Sequence, residues 1–210
     1  MSDALKTLNH LSAASHLEVF GLLHEGSETI ALLGPREPDF WANVSQSAEF
    51  LDGQSDPLDR WSKRVVRQIA KECGAKALFP SDGPPYPPFI SWALASGQSW
   101  VSPVGMLVHE TAGLFISFRA ALRFSEHLPL PAQTASPCVN CAKPCVSACP
   151  VNALSPDHYD VPSCMSHIRE RDSAECRSKG CAARRACPVS QNYARSPLQS
   201  AFHMRAFLGE

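Results

Sequence analysis

Leu5, Leu8, Leu11, Ala14 and Leu17 recur at three-residue steps among polar neighbours, which predicts a short amphipathic helix over residues 4–17. Two apolar runs follow, Val19 to His24 and Thr29 to Leu33, separated by Glu25-Gly26-Ser27, and these predict paired strands about a tight turn. The clearest helix opens at Asp56-Pro57, a capping residue before a proline suited to the first helical turn, and closes at Gly74. Leu58, Trp61, Val65, Ile69 and Cys73 share one face of it, while Arg60, Lys63, Arg64, Arg67 and Lys71 mostly fall elsewhere. Cys73 is therefore expected in the core.

Ala75 to Phe79 predicts a strand, and Pro80 to Pro88 carries too many prolines for helix or central strand. Phe89 to Ser96 predicts a short helix ended by Gly97. Met106 to His109 and Gly113 to Phe124 read as strands, the second running on into helix if its apolar period is followed further. Pro129 to Pro137 reads as a linker, and Leu198, Phe202, Met204 and Phe207 suit a closing helix. The expected fold class is α/β or α+β. The expected division is an α/β domain over 1–132, a loop-rich cysteine module over 133–192 and a closing segment over 193–210.

With 44% hydrophobic and 19% charged residues in 210, the composition is globular. The net charge of -1 makes no case for nucleic acid or a membrane, although residues 138–210 hold nine Lys/Arg against six Asp/Glu. That mild basic excess suits an acidic electron donor, or simply a solvated surface. No apolar stretch approaches a membrane span and Met1 to Ser15 lacks the layout of a secretory signal, so the expected location is cytoplasmic. Thiols stay reduced there, and clustered cysteines then point to metal rather than disulfides. Walker, G-x-G-x-x-G and G-x-S-x-G motifs do not occur, which leaves nucleotide-dependent and serine-hydrolase functions without support.

Eight of the nine cysteines fall between Cys138 and Cys187, opening with Cys138-Val-Asn-Cys141-Ala-Lys-Pro-Cys145-Val-Ser-Ala-Cys149-Pro150. Ferredoxin runs give three ligands to one iron-sulfur cluster and the fourth, before proline, to another; here the middle gap is one residue longer. The same crossing logic assigns Cys138, Cys141, Cys145 and the distant Cys187 to a first 4Fe-4S cluster. Cys149, Cys164, Cys176 and Cys181 would serve a second. A single cluster is the variant to weigh against two. The other class of explanation is a zinc-stabilised interaction module, since four cysteines also satisfy tetrahedral zinc. Zinc knuckles pair two C-x2-C hairpins, whereas this chain has one.

Several stretches together resemble epoxyqueuosine reductase, whose double-cluster module is shared with reductive dehalogenases. They are Gly97 to Trp100, Met106 to Glu110, Gly113 to Ile116, Leu128-Pro-Leu-Pro131, the cysteine run and Pro150 to Leu154. The resemblance implies a nitroreductase- or cobalamin-processing-like domain beside a ferredoxin-type double-cluster module. It further implies electron transfer from the second cluster to cobalamin, which in that family removes an epoxide oxygen from a modified tRNA base. Asp82 falls where the family has its proton donor, although an aspartate in such a loop also caps turns. His109 matches a family histidine, and a hydrogen-bonded structural role is its alternative. Tyr86, Trp92 and Trp100 suit a flat cofactor pocket or plain core packing.

Three departures accompany the resemblance. The helical-repeat extension of many members does not follow the cysteines, which weakens the case for tRNA as partner, and the shorter N-terminal part weakens that for cobalamin. The family's second C-x2-C-x3-C-P stretch is replaced by Cys181-Ala-Ala-Arg-Arg-Ala-Cys187-Pro188, with Cys176 as the substitute ligand. Arg184 and Arg185 read as surface charges that would raise the potential of a nearby cluster, or as solvated ones. The expected partner is a redox protein of flavodoxin or ferredoxin type. A pure electron carrier without corrinoid is the alternative to a cobalamin-dependent reductase.

Overall fold

The computed structural model describes residues 3–170 and 175–210. Residues 1, 2 and 171–174, which belong to the expected N-terminal domain and cysteine module, lie outside the described residues. In chain order the elements are α1 (Asp3–Ala14), β1 (Leu17–Glu25), β2 (Glu28–Pro35), α2 (Phe40–Val44), α3 (Ala48–Leu51), α4 (Pro57–Glu72), β3 (Lys76–Leu78) and α5 (Phe89–Ala95). Next come β4 (Ser99–Val101), β5 (Leu107–His109), β6 (Ala120–Phe124), α6 (Val161–Glu170), α7 (Glu175–Lys179), α8 (Ala182–Ala186), α9 (Pro188–Asn192) and α10 (Pro197–Leu208). Mixed helix with small antiparallel sheets makes the class α+β.

The chain divides into two compact units. Unit 1 comprises residues 1–98 and 117–134, and unit 2 comprises 99–116 and 135–210. The expected boundaries therefore shift, because 99–116 and the closing segment 193–210 both belong with the cysteines. The cause is local pairing within unit 2. Leu114 donates its N–H to Ser190 Oγ at 2.8 Å, Arg184 donates to the Leu114 carbonyl at 2.7 Å, and Arg195 donates to the Phe115 carbonyl at 3.1 Å.

Unit 1 is built on an antiparallel sheet of order β1-β2-β6-β3. Glu25 to Glu28 closes the predicted hairpin, with Gly26 supplying the positive φ that the turn demands. Ile30 to Leu33 are fully buried on both faces of the sheet, so β2 reads as a continuous apolar run rather than an alternation. The buried stripe of α4 is Leu58, Trp61, Ser62, Val66, Ile69 and Ala70. Val66 thus replaces the expected Val65 at the centre, and Cys73 is half-buried at the helix end rather than in the core. Asp56 precedes the helix with left-handed backbone and makes no side-chain cap, so Pro57 alone among the predicted start signals acts there.

The apolar run Gly113 to Phe124 is corrected as well. Only Ala120–Phe124 forms strand, and no helix continues from it. Gly113 has φ +57 and pairs with His109 as an isolated bridge, which turns the chain before the strand can start. The cysteine module is loop-rich up to Asp160 and helical beyond it, because α6 to α10 follow in close succession.

Arg64 donates to both carboxylate oxygens of Glu49, tying α3 to α4. Those hydrogen bonds hold the 9% exposed Glu49 carboxyl down at about 2. The folded value lies below the unfolded one, so the pair stabilises the fold above the ordinary carboxylate value of about 4.3 and ceases to do so as pH falls through about 2. In urea unfolding, the stability gap between wild type and Glu49→Gln should close across that window. A gap unchanged down to its lower edge would disconnect the pair from acid stability.

Candidate metal centre

The first cysteine set lies on an irregular loop within unit 2. Cys138 and Cys141 sit on a turn, Cys145 lies in the single 3-10 turn Pro144–Val146, and Cys187 stands just before Pro188 at the start of α9. Cys145 and Cys187 belong to one apolar cluster with Val104, Val108, Leu114 and Ala183, and Cys138 packs against it. A shallow recess is bordered by Cys138, Cys141, Cys145 and Cys187 together. A wider opening of about 720 Å³, lined by Val108, Asn140, Ala142 and Val189, reaches Cys138, Cys141 and Cys187 from outside.

The second set occupies a neighbouring part of the unit. Cys149 closes the cysteine run, Cys164 lies on α6, Cys176 on α7, and Cys181 immediately before α8. Cys176 is buried with Ile168 and Leu208, and Cys164 packs on the same cluster.

Electrostatics sorts the eight thiols in the same way. Burial first, then the negative charges of Cys141 and Cys187, push the Cys138 thiol up. Cys145 is raised by burial and by Cys187, Cys138 and Cys141. Cys164 is raised by burial and by Cys181, Cys149 and Cys176, and Cys176 by burial and by Cys181 and Cys149. No cysteine of one set figures among these influences on the other. The structure places Cys187 with Cys138, Cys141 and Cys145 about one recess and Cys164 with Cys176 on one apolar cluster, while Cys181 packs on the cluster that holds Cys145 and Cys187.

Both loops also aim backbone donors at sulfur. Lys143 donates its N–H to Cys141 Sγ and Ala153 donates to Cys149 Sγ, each at 3.3 Å. Lys143 and its counterpart Asn152 adopt φ of +56 and +50, a conformation that costs a non-glycine residue about 1–2 kcal/mol. Such residues turn successive N–H groups into an anion-receiving concavity. Ser200 adds a buried hydroxyl without a hydrogen-bond partner, packed against Gly180 beside Cys181. Partly buried thiols, with a backbone N–H donated to Cys141 and another to Cys149, suit a cationic metal core that would deprotonate them.

Among the described residues no group of three or more His, Cys, Asp or Glu side chains is arranged to hold a single metal ion. A lone tetrahedral zinc would draw its four sulfurs to within roughly 4 Å of one another, given Zn–S bonds of about 2.3 Å.

The other predicted residues have local roles. Asp82 Oδ2 accepts the Phe79 N–H at 3.0 Å and Oδ1 pairs with Lys63 at 3.5 Å, the contacts of a turn-closing aspartate. Tyr86 is 67% exposed, its ring lying over Gly83. Trp92 is core and donates to Glu25 at 2.8 Å. Trp100 packs on the apolar cluster of the first quartet. His109 is buried, and its Nδ1 accepts the N–H groups of Thr111 at 3.1 Å and Ala112 at 3.3 Å, which shapes the turn before Gly113. Asp82 and Tyr86 belong to unit 1, Trp100 and His109 to unit 2. Within each unit these are structural contacts, and none of them by itself makes a corrinoid pocket.

Tyr159 was not singled out from the sequence, and Arg184 and Arg185, which were, sit deeper than expected. Tyr159 donates its hydroxyl to Cys164 Sγ at 3.2 Å and stacks on Phe207. Arg184, read as a surface charge, is half-buried and bonded to the Leu114 carbonyl; Arg185 is likewise half-buried and pairs with Glu175. The only sequence signal for either was proximity to a cysteine. Compared with protein-family models, with curated proteins and with solved structures, the chain matches none. The chain is of α+β class, and its second unit holds eight of the nine cysteines.

Proposed function

We propose that this chain is an iron-sulfur protein of ferredoxin type that binds two 4Fe-4S clusters and passes single electrons. The observation that supports this is the gathering of eight cysteines in one compact unit, four of them bordering one recess, with backbone N–H groups donated to the sulfurs of Cys141 and Cys149. Soft thiolates suit iron-sulfur cores, and hydrogen bonds to sulfur tune their potentials. When bound, such cores supply one-electron chemistry and nothing more elaborate is asked of the protein.

The first quartet is the one reached through the wide opening. Val139 and Val146 beside it are 69% and 50% exposed, and residues 135–156 contain Lys143 but no Asp or Glu. An apolar, slightly basic face of this kind suits an acidic redox protein of flavodoxin or ferredoxin type as electron donor. The setting is cytoplasmic, where thiols stay reduced. Among the described residues no helix is long and apolar enough to cross a membrane. The resemblance to epoxyqueuosine reductase would add cobalamin as acceptor, but the contacts of Tyr86, Trp100 and His109 favour the carrier without corrinoid.

Iron and acid-labile sulfide measured on anaerobically purified protein should each approach about eight per chain, with a brown absorbance that dithionite bleaches. Colourless protein containing zinc would replace this function with a structural metal module.

A further inference from the structure

The stretch that joins Cys149 to Cys164 is closed by its own hydrogen bonds. Ala153 donates its N–H to Cys149 Sγ at 3.3 Å and offers its carbonyl to the Asp160 N–H at 2.8 Å. Between them Leu154 and Tyr159 pair as an isolated bridge, about a turn in which Ser155 donates its N–H to the His158 carbonyl at 2.9 Å. Gly105 seats that turn, for a Cβ there would stand 2.8 Å from the carbonyl oxygens of Ser155 and Pro156. Asp160 then caps α6. Its carboxylate accepts the Ser163 N–H at 3.0 Å and the Ser163 hydroxyl at 2.6 Å, and its carbonyl accepts the Cys164 N–H at 3.1 Å. A closed loop on one side and a capped helix on the other thus fix Tyr159 relative to Cys164.

Tyr159 uses that placement. Its hydroxyl donates to Cys164 Sγ at 3.2 Å, and its ring stacks on Phe207 of α10 with centroids 6.3 Å apart and planes 15° from parallel. Phe207 packs in turn on the apolar cluster of Ile168, Cys176 and Leu208, against which Cys164 also lies. Tyr159 is 42% exposed, so its ring is held by these contacts rather than by enclosure. A neutral thiol is a weak acceptor, whereas a thiolate ligand carries the charge that strengthens a hydrogen bond from a phenol.

Resting on the electron-transfer function proposed above, we infer that Tyr159 sets the potential of the iron-sulfur site to which Cys164 belongs, by holding its O–H on the Cys164 sulfur. A donor fixed on a sulfur that gains negative charge favours the reduced form, so the electron affinity of that site rises. In the step concerned, a reduced flavin or iron-sulfur protein of low potential loses one electron and the site gains it. No bond is made or broken, and the phenolic proton stays on its oxygen. Tyr159 acts through Cys164, so its hydroxyl governs how tightly the electron is held and not whether the site assembles.

The test is a potentiometric titration of full-length, anaerobically assembled protein followed by electron paramagnetic resonance, with iron content measured on the same samples. Tyr159→Phe keeps the ring on Phe207 and removes only the O–H to Cys164. It should lower one of two one-electron steps by about a tenfold change in electron affinity, about 59 mV for one electron. The other step should stay in place, and iron should match wild type. Full iron with both steps unmoved overturns the inference, and so does equal movement of both, which marks a general change in the unit. Loss of iron from Tyr159→Phe overturns it too, because the hydroxyl would then serve assembly. Wild type without iron overturns the proposed function together with this inference. About four irons and a single step would replace two sites by one, and the same shift or its absence then decides the role of Tyr159.

Discussion

Changing Cys176 to serine should remove about half of the protein's iron, from about eight to about four per chain, and leave the rest in place. Cys176 lies outside the familiar ferredoxin run, on the short helix α7, yet it is buried beside Cys164 and feels Cys181 and Cys149. A serine there presents a harder, less readily ionised ligand than thiolate, and a core gripped by three sulfurs is lost or degraded. Cys145→Ser should remove the other half, because its neighbours are Cys138, Cys141 and Cys187. Cys73→Ser supplies the control. That thiol ends α4 in unit 1 and should leave iron unchanged. Full iron in the Cys176 variant would exclude it as a ligand, and equal loss from the Cys176 and Cys145 variants down to zero would mean one cooperative site instead of two.

Gly113→Ala should destabilise the cysteine unit by about 3 kcal/mol, combining roughly 1–2 for a left-handed non-glycine residue with roughly 1–3 for overpacking. Gly113 has φ +57, and a Cβ there would stand 2.5 Å from the Ser190 nitrogen and 2.6 Å from Ser190 Oγ. Backbone cannot step aside as the end of a side chain can. The displacement would break the Leu114 N–H to Ser190 Oγ hydrogen bond and press on α9, which begins directly after the ligand Cys187. Gly26→Ala makes the comparison clean, for Gly26 also has positive φ but nothing within 4 Å of the added carbon. It should cost only the conformational part, roughly 1–2 kcal/mol. Urea unfolding followed by circular dichroism, with iron absorbance recorded in parallel, measures both. Equal losses in the two variants would deny the close approach of Ser190.

Elements with a strong local period were legible from the chain. The hairpin about Gly26, the proline-dense loop and the extent of α4 follow from which residues are apolar and which bend the backbone, whereas the closing helix forms where expected but buries Gln199, Ser200, Ala201 and Leu208 and leaves Leu198 69% exposed. The run Gly113 to Phe124 was not legible, because residues buried on every side lose the alternation that distinguishes strand from turn. Likewise Val65 and Val66 are chemically alike, and only the helix's rotation against its neighbours chose the second for the core.

Cysteine number and order, by themselves, determined that this chain can offer eight soft donors, since the short gaps confine Cys138, Cys141 and Cys145 to one loop. Only the tertiary structure showed that Cys187 borders the same recess as Cys138, Cys141 and Cys145, that Cys176 is buried on the cluster where Cys164 packs, and that Tyr159 reaches Cys164. Spacing limits where a side chain can lie over a few residues. Across longer separations, position is set by the burial of apolar faces such as those of Leu114, Ile168 and Leu208, which no local pattern encodes.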